Sequence, residues 1–129
     1  MLDVTCALHG ARVLLVEDDF IILMELQSVL TDAGAVIAGA CQTLREALAK
    51  AEKADITVAI LDVRLERQTS APIARKLAGR GIPFIFYTGQ LETDPIRAEW
   101  PTCRIVSKPA PARAIVAAAS ALLLQRRQA

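Results

Sequence analysis

The chain has 129 residues, 53% of them apolar, with a mean hydropathy of +0.37 and a formal net charge of +1 at pH 7. That length suits one domain, 1–129, long enough to bury a real core over about 12–125. The near-zero charge excludes a global field that recruits nucleic acid or an anionic membrane, and no apolar run is long enough to cross a bilayer.

Residues 1–10 carry Asp3 and lack a basic segment leading into an apolar one, so no signal peptide is expected and the protein is read as cytoplasmic. Cys6, Cys41 and Cys103 are far apart, with no C-x-x-C spacing, and the single His9 has no ligand partner nearby in sequence. A zinc site is therefore not expected, and the cysteines read as small apolar fillers in a reducing compartment. Arg126-Arg127, the only basic cluster, reads as a solvated helix end.

Strand and helix patterns alternate five times, which predicts βαβ units around a parallel sheet. The first strand is expected over 12–16 and the first helix over 20–33. Ile22, Leu26, Val29 and Leu30 share one face of that helix, and Gly34 stops it. A short second strand, 36–40, leads to a helix capped by Thr43, with Glu46 completing a capping-box pattern and an end near Ala54. Leu44, Ala47, Leu48 and Ala51 are its apolar positions. The third strand, 56–62, is almost wholly apolar and reads as central. Ser70-Ala71-Pro72 opens the third helix, with the serine at the cap and proline in the first turn, and that helix is expected to end at Gly79.

The fourth strand is expected over 83–87. Pro95 and Pro101 bracket the 92–100 stretch so tightly that its helix is limited to one or two turns. The fifth strand covers 104–107, and an Ala-rich helix runs over 111–125 with Ile115, Val116, Ala119, Leu122 and Leu123 towards the sheet. The expected fold is a flavodoxin-like, doubly wound five-stranded parallel sheet of order 2-1-3-4-5, with a short or irregular fourth helix.

In such a sheet ligands bind outside the carboxyl ends of the strands, at the point where strand order reverses. Glu17 and Asp18 follow the first strand, Asp62 the third, Thr88 the fourth and Lys108 the fifth. Three clustered acids repel each other unless a cation neutralises them, and Mg²⁺ prefers such oxygen ligands. Asp18 and Asp62 are the expected direct ligands, the Arg64 main-chain carbonyl a third, and Glu17 a ligand through water. Asp19 directly precedes the helix and reads as its cap. Lys108 adds a mobile charge suited to a phosphoryl oxygen, and Pro109 after it allows a cis peptide. Thr88 adds a hydroxyl, with Gly89 leaving the approach open. Asp62 is then the natural nucleophile for an acyl phosphate. No G-x-x-x-x-G-K-[ST] string occurs, which excludes a P-loop, and no His lies near the crevice for a Ser-His-Asp set.

With Val-Glu-Asp-Asp, Leu-Asp-Val, Tyr-Thr-Gly and Ser-Lys-Pro following these strands in order, the chain resembles a response-regulator receiver domain of two-component signalling. The resemblance runs from Arg12 to the end of the fifth helix. It implies that Asp62 accepts a phosphoryl group from a histidine kinase or phosphotransfer protein and that Glu17 and Asp18 hold Mg²⁺. It also implies that Thr88 is the switch hydroxyl, that Lys108 senses the phosphoryl group and that the acyl phosphate is self-hydrolysed. Catalysis is expected to extend no further than this.

Three departures bear on readout. Ile105 stands where the family usually has an aromatic residue, the 63–69 segment lacks the usual proline and glycine and is expected to be more mobile, and the 88–108 stretch is short. The reading is a stand-alone receiver with an unknown downstream protein partner, a homodimer through the helix four–strand five–helix five face being one possible output. Leu124 is a candidate contact on that face. Two rivals are a receiver-fold interaction module that is never phosphorylated and a flavodoxin-like protein binding a phosphorylated cofactor.

Overall fold

The computed structural model describes residues 7–89 and 95–128. Cys6 and the 92–94 start of the expected fourth helix lie outside the described residues, as do the side chains of Arg126 and Arg127. The elements in chain order are β1 (Arg12–Val16), α1 (Phe20–Asp32), β2 (Val36–Cys41), α2 (Leu44–Lys53), β3 (Val58–Leu61), β4 (Arg64–Leu65), β5 (Gln68–Thr69), α3 (Ala71–Gly79), β6 (Phe84–Thr88), α4 (Ile96–Glu99), β7 (Arg104–Ser107) and α5 (Ala112–Gln128). Five strands form one sheet in the order β2-β1-β3-β6-β7, every neighbouring pair parallel. This is the expected order and fold, with one small hairpin, β4–β5, added after the central strand.

Alternate residues of each strand point to opposite faces, and both faces are covered. Leu14, Val16, Ala59, Leu61 and Phe86 face a layer built from α2 and α3, joined by Ile96 and Trp100 at the ends of α4. Val13, Leu15, Val58, Ile60, Ile85 and Tyr87 face α1 and α5. The central β3 is buried along its whole length. Each fully buried Leu, Ile or Phe contributes about 1.5–3 kcal/mol. These two apolar layers, more than any single hydrogen bond, hold the strand ends in register.

Local sequence sets the helix starts. Asp19 accepts hydrogen bonds from the Ile21 and Ile22 amides, and Thr43 accepts one from the Glu46 amide while its hydroxyl donates to the Glu46 carboxylate. Three details differ from the sequence reading. Leu23 is buried with Leu26 and Leu30, whereas Ile22 and Val29 are only half-buried, so the inward face of α1 is rotated slightly from the expected one. α3 ends at Gly79, as expected, and the chain reverses at Gly81, whose φ of 72° suits a helix end that a β-carbon disfavours. Ser70 precedes α3 but makes no capping bond; Thr69 Oγ1 accepts from the Ala71 amide instead. The 63–69 segment, for which no regular element is expected, is folded as the β4–β5 hairpin. Leu65 is buried beneath it and the Ser70 amide donates to the Val63 carbonyl.

Candidate functional site

Register brings the strand ends together. Val16 pairs with Leu61, Leu61 with Phe86 and Thr88 with Ser107, so the residues that follow emerge along one edge of the sheet. The Asp62 amide donates to the Val16 carbonyl and the Glu17 amide to that of Cys41, which extends the ladder into the site. Glu17, Asp18 and Asp62 each present a carboxylate oxygen, and these atoms lie within 4.8 Å of one another. Glu17 is only 2% exposed and Asp62 9%.

Lys108 answers this charge. Its Nζ donates to Glu17 Oε1 at 2.6 Å and to Asp62 Oδ2 at 3.0 Å. The Lys108–Pro109 peptide is cis. The Lys108 amide donates to the Thr88 carbonyl at 2.9 Å, tying β7 to β6 at this edge. Thr88 is itself buried, and a β-carbon at Gly89 would lie 4.0 Å from that of Lys108, an ordinary contact.

The other wall of the pocket is built from neutral donors. The Glu66 amide donates to Asp18 Oδ2 at 2.9 Å, Gln42 Nε2 to the Asp18 carbonyl at 3.3 Å and the Arg64 amide to Asp62 Oδ1 at 3.4 Å. Glu66 stands at the hairpin turn with a φ of 58°, a left-handed conformation that costs a residue bearing a β-carbon about 1–2 kcal/mol. Glu17 Oε2 also receives the Asp19 amide at 3.2 Å.

Burial pushes the Glu17 carboxyl up to about 7; the Lys108 hydrogen bond opposes this, and the Asp62 charge adds to it. Burial works against the Lys108 ammonium, but its hydrogen bonds to Glu17 and Asp62 and the charges of both acids outweigh that and raise it above the usual lysine value. One ammonium among three carboxylates leaves the pocket negative when all are ionised. Oxygen-only donors in a negative pocket suit a hard divalent cation.

Among the expected site residues, Glu17, Asp62 and Lys108 converge through direct contacts, and the Asp18 carboxylate lies within 4.8 Å of those of Glu17 and Asp62. Thr88 reaches the same edge, and Arg64 meets Asp62 through its amide. Ile105 pairs with Phe86 and packs, half-buried, near the aromatic group of Phe84, Phe86 and Trp100. Sequence reasoning missed three participants: Gln42, which reaches the Asp18 carbonyl from just after β2, the Glu66 amide, and Tyr87, whose ring lies beneath the Lys108 ammonium. The Glu66 amide enters from a turn without glycine, so no turn signal marked it. Tyr87 was hidden by its neighbour Thr88, although a tyrosine ending an apolar strand is itself a signal that its hydroxyl needs a partner.

The sequence matches the response regulator receiver domain family over residues 13–120. The chain belongs to that family. Among solved structures this receiver domain is similar to SdrG from Sphingomonas melonis Fr1, at 36% identity over 92% of this chain and 98% of that one, with a TM-score of 0.75. It also resembles a response regulator receiver protein from Sinorhizobium medicae WSM419, at 24% identity over 90% and 96% of the two chains, TM-score 0.79. A CheY-like receiver domain protein from Methanospirillum hungatei JF-1 shares 24% identity over 92% and 97%, TM-score 0.80. The last two likenesses speak for the fold alone. No curated protein matches the chain.

Proposed function

We propose that this receiver domain is a phosphoacceptor in a two-component phosphorelay, with Asp62 as the residue that is phosphorylated. An Asp62 carboxylate oxygen attacks phosphorus as the P–N bond of a donor phosphohistidine breaks, leaving an aspartyl phosphate and a free imidazole. Lys108 is the ammonium that follows the charge onto the phosphoryl oxygens, and Thr88 supplies a hydroxyl donor from the adjacent strand. Asp18, Asp62 and the Arg64 carbonyl would hold Mg²⁺ directly, with Glu17 assisting. Such an ion would supply charge compensation for the phosphoryl oxygens. Water later attacks the aspartyl phosphate and resets the site, so the domain handles only its own phosphoryl group.

The observation that carries this reading is the Lys108 ammonium shared by two largely buried carboxylates, 2.6 Å from Glu17 and 3.0 Å from Asp62, with Asp18 alongside. A structural ion pair needs one acid. A second and third acid raise the cost of burial and are better explained by a cation and a phosphoryl group.

The phosphorylated domain passes its signal by protein contact in the cytoplasm, to a downstream protein or to a second copy through the face of α4, β7 and α5. Leu124, 47% exposed on α5, is a candidate contact. No helix among the described residues is long and apolar enough to cross a membrane. Ile105 favours one alternative, a receiver-fold module that binds its partner without phosphorylation.

Intact-protein mass spectrometry after incubation with acetyl phosphate, with and without Mg²⁺, separates the two. A single Mg²⁺-dependent phosphate adduct, lost in Asp62→Asn, is expected. An adduct that persists in Asp62→Asn at the same stoichiometry sinks the assignment. No adduct, with either acetyl phosphate or a phosphohistidine donor, leaves the phosphorylation-independent module.

A further inference from the structure

Tyr87 is buried at the end of β6, immediately before Thr88, and the chemistry described so far does not use it. Its ring lies in the layer between the sheet and the α1/α5 helices, a place filled elsewhere by leucine, isoleucine and valine. Packing alone does not call for a hydroxyl there. Yet the hydroxyl donates to the Ala110 carbonyl at 3.2 Å, in the segment that joins Lys108 to α5. The Lys108 ammonium stands over the ring, 5.3 Å from its centroid and within the range where the ring's negative face attracts a cation.

Both contacts converge on Lys108. Pro109 and Pro111 flank Ala110 and have no amide hydrogen, so neither can anchor this segment by donating from its own backbone. The last two residues of β6 provide anchors instead. The Thr88 carbonyl holds the Lys108 amide before the turn, and the Tyr87 hydroxyl holds the Ala110 carbonyl after it. Between those two points the lysine stem projects towards Asp62 and Glu17. A lysine ammonium on a four-carbon stem is mobile unless something limits where it can go.

We infer that Tyr87 is a positioning residue for Lys108: its ring carries the ammonium and its hydroxyl fixes the following chain, so that Nζ is aimed at Asp62 before a phosphoryl group arrives. The inference rests on the phosphoacceptor reading for its consequence in rate, but not for its geometry. Two kinds of measurement keep the two claims apart.

The rate of Mg²⁺-dependent labelling by acetyl phosphate is compared for the wild type, Tyr87→Phe, Tyr87→Leu, Lys108→Ala and the Tyr87→Leu/Lys108→Ala double variant. Tyr87→Leu, which loses ring and hydroxyl, is expected to label about threefold to tenfold more slowly. Tyr87→Phe keeps the ring and loses less. In the Lys108→Ala background the Tyr87→Leu change is expected to have no further effect, because the residue it acts through is gone. Equal losses in both backgrounds, or unchanged labelling by Tyr87→Leu, overturn the inference.

The second measurement needs no phosphorylation and decides the matter where labelling is too slow to follow. Ring-current shifts of the Lys108 ε-methylene protons are read by NMR in the wild type and in Tyr87→Phe. Upfield shifts in both are expected. Free-lysine values in the wild type overturn the inference, even if Tyr87→Leu does not fold. A wild type that shows the shift but never labels refutes the phosphoacceptor reading while leaving the Tyr87–Lys108 geometry in place.

Discussion

The two walls of the acidic pocket are held by different means. Towards β7, Glu17 and Asp62 share a charged side chain, Lys108, itself cradled by Tyr87. Towards the hairpin, Asp18 is held by the Glu66 amide and by Gln42, neither of which carries a charge at the contact. A backbone amide fixed in a hairpin cannot follow a change in charge, whereas an ammonium on a flexible stem can. On the proposed phosphoacceptor reading, the hairpin wall is therefore scaffold for the side that would hold Mg²⁺, and the β7 wall is the part that would respond when a phosphoryl group adds negative charge.

The largest expected effect comes from breaking the charged wall. Lys108→Ala leaves Glu17 and Asp62 side by side without their counter-charge, Glu17 almost fully buried. Removing one partner of a buried pair costs about 3–5 kcal/mol. The 20% exposure of the Lys108 side chain and the ability of Glu17 to take up a proton place this case near about 3 kcal/mol. Urea unfolding in EDTA at pH 7 measures it, and Mg²⁺ is expected to restore part of the loss. A change below about 1 kcal/mol in EDTA makes the Lys108 contacts dispensable and removes the contrast between the walls.

The same wall predicts a pH dependence of the metal-free protein. Glu17 titrates near 4.5 when unfolded and about 7 when folded, so between these values the folded state binds more protons than the unfolded one. Stability then falls as pH rises from 4.5 to about 7 and levels off above, by at most about 3 kcal/mol. Lys108 works at the other end of the scale. Its raised value contributes stability that is present below the ordinary 10.5 and lost only at higher pH. Unfolding curves in EDTA across this range test the Glu17 part, and Mg²⁺ should flatten it. Stability rising from pH 4.5 to 7 contradicts the burial argument.

Sequence made one wall far easier to see than the other. Glu17, Asp18, Asp62, Thr88 and Lys108 each follow an apolar strand, and a parallel sheet gathers such residues at one edge whatever the details of packing. The strand order, the Asp19 and Thr43 caps and the shortness of α4 were legible for equally local reasons. The hairpin was not. Its strands have two residues each, its turn lacks glycine, and its positive φ is imposed on Glu66 by tertiary contacts rather than by a turn-forming residue. The Ser70-Ala71-Pro72 signal placed the helix start correctly but named the wrong capping oxygen, because Thr69, one residue earlier, also offers a hydroxyl.

That capping exchange gives a smaller, two-sided test of how the scaffold wall is built. Ser70 Oγ is buried and has no hydrogen-bond partner, whereas Thr69 Oγ1 accepts the Ala71 amide at 2.9 Å. Ser70→Ala removes an unsatisfied hydroxyl and is expected to stabilise the fold by up to about 1 kcal/mol. Thr69→Ala removes a working cap and is expected to cost about 1 kcal/mol. Urea midpoints of the two variants should move in opposite directions. If both move downward, Ser70 is the true cap and the hairpin–helix junction has been assigned to the wrong oxygen.

Glu66→Gly is the finest test of the contrast between the walls, because it alters a side chain where only a backbone atom is claimed to matter. Glycine adopts the 58° φ without a β-carbon penalty and keeps the amide that donates to Asp18. The relief of about 1–2 kcal/mol is partly offset by the greater freedom glycine gives the unfolded chain, so a net gain of about 0.5 kcal/mol is expected. The rise in melting temperature with Mg²⁺ should be unchanged, since the Asp18 carboxylate keeps its donor. A weaker Mg²⁺ response would mean that the Glu66 carboxylate itself adds to the pocket's field. Both walls would then be charged, and the division into a fixed metal side and a responsive phosphoryl side would fail.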